Sequence, residues 1–174
     1  ASMDAAETGH LVFTTLHANS AATSLTRLLD MEVPSYKLTT SLRGILAQRL
    51  VRKVCPSCSV ERPLSQNDAD FTGLKVGTSV REANPLTAEE KKSRKVDGTL
   101  CSRCLGIGYK GRIGVYELLK ISKPISAAIK QAQSSQEIEE IAVREGMLTL
   151  RDYGIKLIAE QYTTVSELRR ICND

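Results

Sequence analysis

The chain has 174 residues, 41% hydrophobic and 25% charged, which excludes a disordered or fibrous protein and allows one domain plus a small appended module. Its 24 Lys and Arg nearly balance 20 Asp and Glu, and it has no Trp and two Phe, which argues against a dedicated nucleic-acid domain with a concentrated basic face and stacking aromatics. No stretch approaches the roughly 20 apolar residues of a membrane span, and the first residues carry no export signal, so a cytoplasmic protein is expected.

The first predicted element is a strand over Leu11–Leu16, an apolar, β-branched run suited to a parallel sheet covered on both faces. Asn19 or Ser20 is placed to cap a following helix with Leu25, Leu28 and Leu29 on one face. Pro34 opens another helix, expected to continue through Ile45 and Leu46. From Gln48 to Val54 the pattern is extended and runs into Cys55-Pro56-Ser57-Cys58. A second extended run, Arg112 to Ile121, follows Cys101-Ser102-Arg103-Cys104, and the two runs are expected to pair antiparallel. Between them Ser59 to Leu100 is polar and too long for a featureless loop. Its clearest signal is the capping box Thr87-Ala88-Glu89-Glu90, opening a charged helix toward Lys95. The basic run within that helix reads as a solvated face. The tail is helical. Pro124 opens one helix, Ser134 to Glu137 caps a second that Gly146 ends, and Thr149 and Thr164 start two more. Leu150, Leu157 and Ile158, then Leu168 and Ile171, are the expected inward residues.

Five cysteines, four of them in two CxxC pairs, suit metal binding in a reducing compartment better than a disulfide framework. Each CxxC turn aims two thiolates at one point, and two such turns supply the tetrahedral set of soft ligands that zinc prefers. Pairing the extended runs would bring Cys55 and Cys58 to Cys101 and Cys104. Gly98, Gly106 and Gly108 permit the positive dihedrals such turns require. Four protein ligands leave no open position, so the zinc is expected to be structural. Incidental thiol pairs or disulfides are the alternative, and a redox role for one CxxC lacks the thioredoxin-like context it needs. Cys172, beside Leu168 and Ile171, reads as a small buried apolar residue. The two histidines, His10 and His17, flank the first predicted strand, and a strand end is where ligand sites gather in α/β sheets.

The segment AAETGHLVFTTLHANSA, followed by RLLDM, SLRGILAQRLVRKVCPSC, CSRC, GYKGRIGVYELL and GMLTLRDYGIKLIAEQYTTVSELRR, is similar to the type II secretion and type IV pilus assembly ATPase family. The likeness runs nearly end to end, with Ser59 to Leu100 lacking a counterpart. It implies an α/β fold: the C-terminal part of a RecA-like P-loop ATPase domain, with a zinc-binding insertion and a C-terminal helical bundle. Residues 1–54 would belong to the ATPase core with its histidine box, 55–111 to the tetracysteine insertion, and 112–174 to the returning strand and helical subdomain. The resemblance further implies an ATP- and Mg²⁺-dependent hexameric motor, peripheral at the inner membrane through a platform protein, with no direct binding of nucleic acid. His17 matches the residue beside the nucleotide, and His10 a supporting position. Arg43, Arg49 and Arg52 are candidates for nucleotide or neighbour contacts, or equally for salt-bridged surface residues. No GxxxxGK[ST] loop occurs in these residues, so the chain is expected to be a part of the motor that does not hydrolyse ATP alone. A zinc module that binds protein or nucleic acid is the competing reading.

Overall fold

The computed structural model of the chain describes residues 2–172. Ala1, Asn173 and Asp174, at the outer ends of the first and last expected segments, lie outside the described residues. The elements in order are α1 (Ser2–Glu7), α2 (Ala21–Asp30), α3 (Ser35–Ser41), β1 (Gly44–Val54), β2 (Val60–Pro63), α4 (Gln66–Thr72), β3 (Ser79–Glu82), α5 (Ala88–Val96), β4 (Tyr109–Lys120), α6 (Lys123–Lys130), α7 (Ser135–Arg144), α8 (Leu150–Ala159) and α9 (Val165–Cys172). None of the described helices is long and apolar enough to cross a membrane.

The helix starts follow local chemistry. Ser20, Thr87 and Ser134 each form a capping box with the residue three positions on, satisfying amides that the first helical turn leaves without partners. Ser122 caps α6, with Pro124 in its first turn. The strands follow pairing. β1 pairs with β4 and β2 with β3. Ile121 donates to the carbonyl of Arg43 at one end of the first pair, and Cys55 to that of Gly108 at the other, so β1 and β4 run antiparallel. In the second pair Val60 faces Glu82 and Pro63 faces Ser79.

Two secondary-structure expectations are overturned here. Leu11–Leu16 is irregular rather than a strand, with Leu11 81% and Phe13 89% exposed. A strand's amides and carbonyls require a partner, and the described strands are paired among themselves. The helix opened by Pro34 stops at Ser41, and Ile45 and Leu46 lie in β1. Residues 46–50 contain good helix formers, but the β4 ladder takes their backbone groups, so tertiary pairing overrides local propensity.

The chain divides into two compact units, Ala1–Gln48 with Tyr116–Leu150, and Arg49–Val115 with Arg151–Asp174. The core of the first is built from Ala21, Ala22, Leu25 and Leu38 with Leu119, Ile125, Ile129 and Ile138. It therefore joins α2 and α3 to α6 and α7. In the second, α8 and α9 approach closely because Gly154 has no side chain: a Cβ there would lie 2.2 Å from Leu168 Cδ1. Phe71 of α4 is held between the guanidinium groups of Arg169, at 4.2 Å, and Arg151, at 5.0 Å, which ties the segment between the cysteine pairs to the last two helices. The tail helices are thus shared out, α6 and α7 in the first unit and most of α8 and α9 in the second. Cys172 is exposed rather than buried: it ends α9, whose buried positions are Val165, Glu167, Leu168 and Ile171.

Glu167 anchors the end of β1 that leads into Cys55. It is 1% exposed. Thr164 Oγ1 accepts from its amide as expected of a helix start, but its carboxylate turns to Arg52 instead of back to the cap. It accepts from the Arg52 backbone amide (2.8 Å), from the Arg52 guanidinium (2.7 Å) and from Arg170 (3.1 Å). Thr163 Oγ1 donates to the Arg52 carbonyl, Val54 donates to that of Tyr162, and the Arg52 guanidinium stacks 4.0 Å from the Tyr109 ring. Burial would raise the Glu167 pKa, but these donors outweigh it and hold it at about 2. Because the folded value lies below the unfolded one, the stability gained is present above roughly pH 4.5 and is lost as pH falls toward about 2. Glu167→Gln is expected to cost about 2–3 kcal/mol at pH 7, the worth of a buried charged hydrogen bond, and to flatten the acid limb of a denaturation profile between pH 5 and 2. An unchanged acid limb would refute this.

Candidate functional site

The two cysteine pairs meet where β1 ends and β4 begins. Cys55 follows the last residue of β1, and its amide donates to Gly108, the residue before β4. Within the first turn Ser59 donates to the Cys55 carbonyl; within the second Leu105 donates to Cys101 and Ile107 to Cys104. The second turn needs left-handed backbone at Leu105, Gly106 and Gly108, with φ of 51°, 75° and 80°. At Gly108 space compounds the dihedral: a Cβ would lie 2.9 Å from Pro85 N and 3.0 Å from the backbone of Asn84, so only glycine fits.

Four sulfurs are thereby gathered, the Sγ atoms of Cys55, Cys58, Cys101 and Cys104 all within 4.8 Å of one another. Cys55 and Cys101 are 3.8 Å apart and Cys58 and Cys104 3.4 Å. A tetrahedron with Zn–S bonds of about 2.3 Å has edges of about 3.8 Å, so the donor set fits a tetrathiolate metal ion in size and chemistry. The thiols are unequal. Amide groups of Cys104 and Arg103 lower the pKa of Cys101. At Cys104 burial acts upward, but the Gly108 amide, 3.4 Å from its sulfur, and the Cys58 and Cys101 thiols outweigh it and bring the pKa to about 6. Burial, then hydrogen bonding to Cys104, raises Cys58. The second CxxC pair is thus biased toward thiolate and Cys58 toward thiol, and a bound divalent cation would hold coordinating thiols deprotonated.

The histidines lie in the first unit and are both exposed. His10 follows α1; its amide donates to Ala5 and its Nδ1 lies 3.1 Å from Thr8 Oγ1. His17 belongs to the irregular segment leading to α2. Its carbonyl accepts from Arg27 Nη1 at 2.7 Å, which tethers the segment to the helix that follows. Neither histidine stands at a strand end, because Leu11–Leu16 is not a strand here. Of the three candidate arginines, Arg52 is committed to Glu167 and Tyr109, Arg43 offers its carbonyl to Ile121, and Arg49 is partly buried.

Two buried carboxylates, Glu117 and Glu167, are not among the residues that the sequence singles out as functional. Glu117 had a legible signal. In Val115-Tyr116-Glu117-Leu118-Leu119 the inward phase of the strand carries Val115, Glu117 and Leu119, and an acid in an inward register is retained only where donors await it. Glu167 had none, since a Thr-x-x-Glu spacing is also that of a capping box.

A family model described as "Type II/IV secretion system protein" matches residues 1–170. Among curated proteins, the chain is 41% identical over 165 residues to the type IV pilus assembly ATPase PilB of Thermus thermophilus, covering 95% of this chain and 17% of that protein. It is 38% identical over 173 residues to the PilB of Pseudomonas aeruginosa, covering 98% and 28%. It is 37% identical over 172 residues to the type II secretion system protein E of Pectobacterium carotovorum, covering 99% and 31%. The chain thus spans less than a third of the length of each of these relatives.

Proposed function

The chain belongs to the type II/IV secretion system protein family, and from that membership we propose that it is one part of an ATP-hydrolysing motor for type IV pilus assembly or type II protein secretion. The observation that carries the reading is the match of nearly the whole chain to relatives named for those two machines. In this reading residues 1–54 belong to a RecA-like core, 55–111 form a zinc-clipped insertion, and 112–174 return to the core and end in helices. Cys55, Cys58, Cys101 and Cys104 hold a structural zinc ion, which closes the loop between the two CxxC turns and carries out no chemistry. His17 lies beside bound nucleotide, with His10 in support. ATP and Mg²⁺ are bound by the whole protein, which works as a cytoplasmic hexameric ring against an inner-membrane platform protein without binding nucleic acid directly.

The chain by itself has no phosphate-binding loop motif, hence no run of amides with a lysine to hold the β- and γ-phosphates. Calorimetry is therefore expected to find no micromolar ATP affinity, and repurified chain no turnover, while a full-length protein containing it hydrolyses ATP. Micromolar affinity with persistent turnover in the chain alone would overturn this division. A full-length protein without ATPase activity, paired with nucleic-acid binding that falls steeply with salt, would favour a zinc module of another kind.

A further inference from the structure

Glu117 is 3% exposed and touches two helix starts within the first unit. One carboxylate oxygen accepts the amide of Ala21, the first residue of α2, at 2.7 Å, and the other accepts that of Leu150, the first residue of α8, at 3.2 Å. Each amide is one of the first-turn donors that a helix cannot satisfy internally, and each lies at the positive end of its helix. Two donors require two acceptors. A glutamine in this place keeps one acceptor oxygen but replaces the other with an NH₂ that only donates and would confront an amide that also donates.

We infer that Glu117 is a positioning residue for the His17 segment, acting through the N-terminus of α2. The path is short and each link is a hydrogen bond. Glu117 fixes Ala21 to β4, and Ala21 and Ala22, fully buried, admit little shift. Ser20 closes the capping box with Thr23, which sets the direction from which the chain enters α2. Arg27, one and a half turns along the same helix, holds the His17 carbonyl at 2.7 Å. The segment has no strand partner among the described residues, so these anchors on α2 stand in place of a ladder. The inference deepens the proposal that His17 lies beside nucleotide and rests on it for its functional meaning, but the placement can be measured without nucleotide.

The chain carries two histidines, so histidine ring signals in a ¹³C-labelled sample report His10 and His17 separately. In Glu117→Gln, the Ala21 or Leu150 amide is expected to lose protection from hydrogen exchange by at least about tenfold, the scale of one buried hydrogen bond to a charged group. The His17 ring signal is expected to shift or broaden and the His10 signal to stay. A folded Glu117→Gln chain with an unmoved His17 signal, or with both histidines moved alike, overturns the inference and leaves Glu117 a plain helix cap. If Glu117→Gln does not fold, Arg27→Gln decides, because Arg27 is exposed and its loss leaves the core intact. A moved His17 signal supports the path through α2, and an unmoved one overturns it. Full ATP turnover in a full-length His17→Ala protein would sink the nucleotide reading while leaving these signals as they are.

Discussion

Replacing Cys101 and Cys104 together by serine is expected to abolish metal binding and unfold the segment between the two CxxC turns. The wild-type chain should purify with one zinc per molecule and the variant with less than a tenth. The size of the effect follows from what the ion replaces. Between Cys58 and Cys101 lie β2, β3, α4 and α5, and α5 buries no residue. The strand pair is short, with an Arg62 bridge to Glu82 and Asp68, and such elements are marginal by themselves. Structural zinc contributes on the order of 10 kcal/mol to the folding of a small module, more than these surface ion pairs supply at about 0–1 kcal/mol each. Hydrogen exchange should therefore show protection lost first in α5 and the second CxxC turn, while the first unit, which lacks the cysteines, stays protected. Chelation should reproduce the pattern and added zinc reverse it. Less than half an equivalent of zinc in the wild type, or full occupancy in the double variant, would refute the assignment.

In a full-length protein containing this chain, His17→Ala is expected to lower ATP turnover by roughly 10²-fold, the scale of losing a positioned acid, base or hydrogen-bonding group. The exposure of His17 makes the result readable. A buried histidine would carry a folding cost that confuses any loss of activity, whereas truncating an exposed ring should change thermal stability by less than about 0.5 kcal/mol. Melting curves and zinc content of wild type and variant are the controls. His10→Ala should have a smaller effect, since its ring is engaged with Thr8 in the turn after α1. Normal melting with unchanged turnover in His17→Ala would remove His17 from the chemistry. A large drop in melting temperature would mark it as structural.

Much of the four-cysteine cluster is legible in the sequence, because the relevant chemistry is local. A CxxC turn aims its own two sulfurs, a glycine at a positive dihedral declares itself, and the antiparallel runs on either side of the cysteines require only that β1 meet β4. The helix caps at Ser20, Thr87 and Ser134 were legible for the same reason: the amides they satisfy are three residues away. Residues whose role depends on distant partners were not. Leu11–Leu16 has the composition of a strand, but pairing decides strands, and the described strands pair elsewhere. Ile45 and Leu46 suit a helix and were drawn into β1 by a ladder more than sixty residues away in sequence.

The sequence by itself determined the family, the two CxxC pairs as one candidate ligand set, the capped starts of several helices and the lack of a phosphate-loop motif in these residues, since each depends on residue identity at short spacing. Only the tertiary structure decided that Glu117 joins two helix starts, that Glu167 clamps Arg52 at the strand entering the first CxxC turn, and that α6 and α7 belong to a different unit from α9. Those outcomes rest on contacts between residues roughly 30 to 115 positions apart. A buried carboxylate is stable only where folding delivers donors to it, and no local pattern announces where those donors will come from.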